Sequence, residues 1–343
     1  MIGQSVRRSR PKALRYGWAG ILLAIVAVAL LPHVDPDPYL ISVATLAFVY
    51  MGLALGLNMV VGYAGLLDLG YAAFFAVGAY GSAILATTYH WPLLATAPAV
   101  VLMAVVAALI VGGPTLRLRS DYLAIVTLGF GEITQISANN LQITGGATGI
   151  FDIPPLSLFG WQLLQPVDYY YVLLAMVVLY ALITWRVRRS KIGRAWLAIR
   201  EDEDAALAMG INTVRYKIYA YVGGAVFASL IGLVYGAAMT AIAPTSFGYP
   251  QSVLCIVAVL IGGMGSIPGM LVGGFLVEAV PEALRNLADF RLLLFGIVMV
   301  LVMIFRPQGV WPARSMRWAR RLAGLATGSP GDAPGAKPED LGS

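Results

Sequence analysis

Apolar residues in this chain run in blocks of 16 to 23, broken by short polar segments. A helix needs about 20 apolar residues to cross a bilayer. The blocks predict ten spans, at 16–32, 39–61, 69–89, 93–113, 121–140, 168–187, 216–238, 251–263, 269–281 and 290–305. The eighth and ninth are short. They read as two spans, one long broken helix or a re-entrant pair, so the count lies between eight and ten. A membrane β-barrel would alternate apolar and polar residues over strands of about 10 residues, and no segment does so. The fold class is therefore an all-α, polytopic transmembrane bundle.

Composition supports the pattern. Of 343 residues, 59% are hydrophobic and 12% charged, against about 25% charged in soluble domains. Mean hydropathy is +0.80, which leaves too little polar surface for a water-soluble globule.

Charge adds the orientation. The net charge of +6 does not indicate nucleic acid, because the basic residues sit at the ends of apolar blocks. With the N-terminus in the cytoplasm, 21 of the 23 Lys and Arg fall on inner segments, and only Arg285 and Arg291 fall outside. An even span count returns the C-terminus to the cytoplasm. Arg7, Arg8, Arg10, Lys12 and Arg15 precede the first apolar run, which ends at Pro32-His33 without a small-x-small cleavage site. An uncleaved first helix is expected. The organisation is then a basic cytoplasmic N-terminus at 1–15, a membrane domain at 16–312 and a cytoplasmic tail at 313–343 expected to be disordered. The membrane domain carries an outer, periplasmic loop at 141–168 and an inner loop at 188–215.

No catalytic set stands out. His33 and His90 are isolated in short outer loops, and the single Cys255 lies inside an apolar block. They form neither a metal site nor a nucleophile–base pair. No G-x-x-x-x-G-K-[ST] phosphate loop occurs, so any ATP must be bound by another chain.

Three stretches carry candidate chemistry. The first, Asn58-Met-Val-Val-Gly62-Tyr-Ala-Gly65-Leu-Leu-Asp68-Leu-Gly70, interrupts two spans without a basic residue. A carboxylate near membrane depth is costly and marks function by default. The plainer reading makes Asp68 the N-cap of the third span. A similar break follows 200 residues later, Ile261-Gly262-Gly-Met-Gly265-Ser-Ile-Pro268-Gly269. Pairing Gly62 with Gly262 and Gly65 with Gly265 suggests an internal repeat with broken helices, the sequence pointer to a transporter site. Close helix packing is the alternative role for these glycines.

The second stretch is the fifth span, Asp121–Asn140, which carries Gly129 and Gly131. Its Glu132, Gln135 and Asn139 share one helical face. A polar stripe is disfavoured against lipid, so it faces the bundle interior or a cavity, either as interhelical hydrogen bonds or as pathway lining. Glu278 is a lone acid in the ninth span.

The third stretch lies in the inner loop. Ser190–Met209 reads as one amphipathic helix, with Trp196, Ile199 and Leu207 on its apolar side. Arg200 precedes four consecutive acids, Glu201, Asp202, Glu203 and Asp204, and Gly210 is a C-terminal stop. The acids argue against rest on an anionic lipid surface. A protein groove suits the helix better.

Together these stretches resemble the larger of the two permease subunits of branched-chain amino acid ABC importers. The core Glu203-Asp-Ala205-Ala206-Leu-Ala-Met-Gly210-Ile211 is similar to the "EAA…G" pattern with which such importers dock on their ATPases, with Asp204 and Ala205 shifting the simple tripeptide. Gly62–Gly78, Leu123–Glu132, Thr144-Gly-Gly-Ala-Thr-Gly149 and Phe305-Arg-Pro-Gln-Gly309 also resemble that permease type, and the likeness covers about residues 40–312. The resemblance implies a non-enzymatic transport subunit of the bacterial inner membrane. It would bind no cofactor itself, while partner ATPases use ATP and Mg. It would pair with a homologous second permease, two ATPase subunits and a periplasmic or surface-tethered binding protein, and would work by alternating access. Related permeases for urea and short amides share much of the pattern. A self-contained secondary transporter with an ion site at Asp68 and Glu132 is a further alternative, but it has no need of a cytoplasmic docking helix. A membrane-embedded enzyme lacks a catalytic cluster.

Overall fold

The computed structural model describes residues 37–116, 120–158, 161–285 and 309–311, with Ala29, Pro32, Gly296, Ile297, Val300, Ile304 and Phe305. Apart from those single positions, the expected first and tenth spans, the N-terminus 1–15 and the tail 313–343 lie outside the described residues.

Capping residues set most helix starts. Helix α1 (Pro38–Leu57) begins where the Asp37 carboxylate accepts from the Tyr39 N–H at 3.0 Å, with Pro38 in the first turn. It continues into a π-helical turn, Asn58–Tyr63. Then come α2 (Tyr71–Thr87), α3 (Ala97–Thr115, preceded by the 3₁₀ turn Leu93–Thr96) and α4 (Ser120–Asn140). The outer loop follows. Its small hairpin, β1 (Ser157–Leu158) with β2 (Trp161–Gln162), is the only paired sheet among the described residues.

Helix α5 (Pro166–Arg189) starts with Asp168 accepting from the Gln165 N–H at 3.1 Å and ends with Arg186, Arg188 and Arg189, charges that complement the helix dipole at both ends. Two short helices, α6 (Lys191–Glu201) and α7 (Glu203–Ala208), form the inner loop. The bundle is completed by α8 (Thr213–Met239), α9 (Tyr249–Gly262) and α10 (Ile267–Ala283).

The chain is thus an all-α polytopic bundle, with a helix at each of the eight expected spans that lie within the described residues. Five are long and apolar enough to cross a membrane: Pro38–Tyr63, Leu93–Thr115, Pro166–Arg189, Thr213–Met239 and Pro244–Gly262. Tyr71–Thr87 is apolar but shorter. At 1.5 Å per residue it reaches about 26 Å, slightly under the roughly 30 Å hydrocarbon core.

Helices α1, α2 and α8 form the centre. Their contact faces are small, and backbone meets backbone: a Cβ at Gly78 would lie 2.0 Å from the Ser229 carbonyl oxygen, and one at Gly232 2.2 Å from that of Phe75. Such close approach is how membrane helices gain packing energy without a hydrophobic drive. Helix α3 buries Val100, Ala104, Ala108 and Val111 and turns Leu102, Val106 and Ile110 outward. That outward face is apolar, as lipid or a neighbouring membrane subunit requires.

Candidate translocation and coupling site

The two broken segments of the sequence meet in the structure. Past the π turn, Gly65 takes a left-handed backbone (φ +72°) and the chain reverses towards α2. Past α9, Gly263 (φ +103°) and Gly265 (φ +82°) do the same before Ser266 caps α10 by accepting from the Gly269 N–H at 3.3 Å. Asn58 joins the two. Its side-chain oxygen accepts from the Gly265 N–H at 2.8 Å, fully buried, across 207 positions of sequence. Gly62 packs at the same point, where a Cβ would fall 1.8 Å from the Asn58 Oδ1 and 2.8 Å from the Gly265 nitrogen. A π turn often marks a functional site. Here it presents the side chain that bridges both breaks.

The second break is also held from below. The N–H groups of Val310 and Trp311 donate to the carbonyls of Ile261 and Gly262, at 2.7 and 3.2 Å. These carbonyls belong to the last turn of α9, which has no intrahelical donors for them.

Asp68 is fully buried. One carboxylate oxygen accepts from the Gly70 N–H at 2.9 Å, and the carboxylate also lies beside the Thr127 hydroxyl. The N-cap of α2 is Gly70, so Asp68 closes an Asx turn two residues ahead of that cap and is not the expected cap itself. The reason is steric. A Cβ at Gly70 would lie 1.9 Å from the Thr127 carbonyl oxygen, and the Leu69 N–H donates to the Thr127 hydroxyl at 3.0 Å. The turn is pressed against α4, and only glycine fits its last position.

Helix α4 divides the polar stripe from this cluster. Gly131 faces the Gly70 turn. Glu132 and Gln135 are partly covered, with Gln135 against Gly248, and Asn139 is exposed. Gly129 opens onto empty space. The stripe therefore lies along an open side of the bundle, apart from Asn58 and Asp68.

The inner loop is two helices, correcting the expectation of one from Ser190 to Met209. Asp202 has extended backbone and caps α7 by accepting from the Ala205 N–H at 3.0 Å. An aspartate competes well for a helix start and poorly for a helix interior. Gly210 does end α7, with φ +81° and paired bonds from Gly210 N–H to Leu207 O and Ile211 N–H to Ala206 O, a Schellman motif.

Helix α6 is bound tightly to the first break. Trp196 stacks on Tyr63 (centroids 6.4 Å apart, planes at 9°), and its indole N–H donates to the Tyr216 carbonyl at 2.7 Å. The Arg188 guanidinium sits 5.8 Å over the other contact ring, Tyr63. Arg200 donates to the carbonyl of Gly62, and burial lowers its pKa against the opposing pull of Glu201. Helix α7 is held differently. It buries Ala206 and ties Glu203 to Lys217 on α8 at 2.5 Å, while Asp204, Ala205, Leu207 and Met209 stay exposed. Tyr63 and Lys217 carry no sequence signal of these roles, and Trp196 reads in the sequence only as part of the apolar side of the inner-loop helix. Lys217, one charge at the mouth of an apolar span, counted there only as an orientation signal.

Membrane helices broken in pairs, with a pair of short connecting helices seated on one break, define a transport permease. The profile described as "branched-chain amino acid transport system / permease component" matches residues 39–306, and the chain belongs to that family. It is 40% identical to the high-affinity branched-chain amino acid transport system permease protein LivM of Escherichia coli K12, covering 83% of this chain and 74% of the relative. The LivH permease of Salmonella typhimurium is 27% identical over 78% of this chain and 92% of its own. A probable LivM from Methanocaldococcus jannaschii is 26% identical over 80% and 94%. No solved structure matches the chain.

Proposed function

We propose that this chain is the LivM-type permease subunit of an ATP-driven importer of branched-chain amino acids in the bacterial inner membrane. It pairs with a homologous LivH-like permease, receives its substrate from a binding protein outside and takes its energy from two ATPase subunits inside. The observation that carries this reading is the bare outer face of α7, presented beside a helix already fastened to the broken segment. An acidic, small-residue helix that ends at a Schellman glycine is a compact plug for a groove on another protein.

The chain itself supplies a path and no chemistry. Glycine-lined breaks allow the helices on either side to change angle, and the free helix ends they create can hold a zwitterion by its own charges. Alternating access then consists of the two breaks opening to one side at a time.

Uptake by the reconstituted complex of both permeases, ATPases and binding protein tests this. Labelled leucine is expected to accumulate only with ATP. Accumulation of urea in its place would move the chain to the amide importers, and uptake driven by an ion gradient without ATP would make it a secondary carrier. Orientation has a separate test. A reporter inserted after Gly149, in the loop that Ile150 and Ile242 pin to the end of α8, is expected to read as periplasmic. A cytoplasmic signal there would invert the topology.

A further inference from the structure

Of the contacts between the inner loop and the bundle, one sits where a push on α7 must pass into the membrane. We propose that Arg200 is the positioning residue that makes α6 and the Gly62–Gly65 turn a single mechanical body, so that movement of the ATPase-facing helix is delivered to the first broken helix. This rests on the docking reading of α7.

The geometry supplies two points of attachment. Trp196 and Arg200 are four residues apart, on one face of α6. Trp196 stacks on Tyr63, and Arg200 donates to the carbonyl of Gly62 immediately before it. One contact would act as a pivot, and two prevent rotation. The acceptor is well chosen, because Gly62 lies at the C-terminal end of the helical turn, where carbonyls lack partners and a cation is favoured. Gly65 completes the seat. Its missing side chain leaves room for the Arg200 stem, since a Cβ there would lie 2.9 Å from Cγ and 3.3 Å from Cβ of Arg200. With the Arg200 stem in place, a side chain at 65 would push α6 off the turn.

Load reaches this joint by a short route and leaves it by another. Asp202 alone separates α6 from α7. Beyond the joint, Asn58 passes the turn's position to Gly265 and so to the start of α10. Arg200 therefore stands between the exposed helix and both breaks.

The test uses the reconstituted complex. With Arg200→Gln, the ATPases are expected to copurify as in the parent. ATP hydrolysis should no longer respond to loaded binding protein, and leucine uptake should fall about tenfold, within the usual range of coupling between sites. Arg200→Lys should act likewise, because a point charge on a thinner stem does not reproduce the planar fork. A covalent replacement gives the decisive comparison. Gly65→Cys with Arg200→Cys, in a Cys255→Ala background, places two Cβ atoms 3.3 Å apart, so that a small outward shift of α6 reaches the roughly 3.5–4.5 Å a disulfide spans. Reduced, this protein should be uncoupled; oxidised by a copper catalyst, it should regain substrate-stimulated hydrolysis and uptake.

Unchanged coupling in Arg200→Gln would overturn the proposal. So would loss of the ATPases from that variant, which would put Arg200 in docking, or an oxidised pair that stays uncoupled. If the single variant fails to accumulate in membranes, the oxidised pair decides. A parent complex that recruits no ATPase would instead overturn the docking reading, and the proposal with it.

Discussion

Glu203→Gln is expected to release α7 from the bundle, shed the ATPases and cut leucine uptake by about tenfold, equivalent to roughly 1.4 kcal/mol in binding. Lys217→Met should do much less harm. The asymmetry comes from exposure: the Lys217 side chain is 5% exposed and that of Glu203 43%. Removing the acid strands a buried cation. Removing the cation leaves an acid that water can still reach. Breaking a fully buried pair costs about 3–5 kcal/mol. A half-exposed partner is screened, so about 1–3 kcal/mol is expected for Glu203→Gln. The double variant should recover most of the loss, because two neutral side chains need no partner. Copurification of the ATPases and thermal unfolding of all three variants in detergent check this. Equal losses from both single changes would show that the pair is solvated alike on both sides.

The second large effect is expected at the joint between the breaks. Asn58→Ala leaves the buried Gly265 N–H without an acceptor, a cost of about 1–3 kcal/mol. Gly62→Ala should cost a similar amount by another route, because the added methyl displaces the Asn58 side chain from the same bond. Since both changes remove one interaction, their effects should not add. The double variant is expected to melt close to the worse single one, with uptake reduced in step. Full additivity would mean that Gly62 and Asn58 serve separate contacts.

The positions of the helices were legible because block length is a direct consequence of bilayer thickness. The span expected at 39–61 is α1 with its π turn, ending at Tyr63. The span at 269–281 is α10, a helix separated from α9 by the Gly263–Ser266 turn. The link between the two breaks was partly legible. Glycine spacing paired Gly65 with Gly265, and both do take left-handed backbone. That Asn58 makes the bond could not be read, because a hydrogen bond across 207 residues leaves no periodic trace. The inner loop shows the opposite failure. Ser190–Met209 carries a helical pattern throughout, and pattern cannot tell a continuous helix from two that share a face. Asp202 was visible only as one acid among four, and its capping geometry decides the matter.

The bonds from Val310 and Trp311 to the end of α9 set a schedule for biogenesis. Those donors are made nearly fifty residues after the carbonyls they satisfy. At 5–20 residues per second the ribosome needs roughly 2–10 s to supply them. For that interval the nascent α9 carries two unfilled carbonyls, which water or an insertion factor must serve. Reading frames fused or truncated upstream of Gly309 would make this transient state permanent.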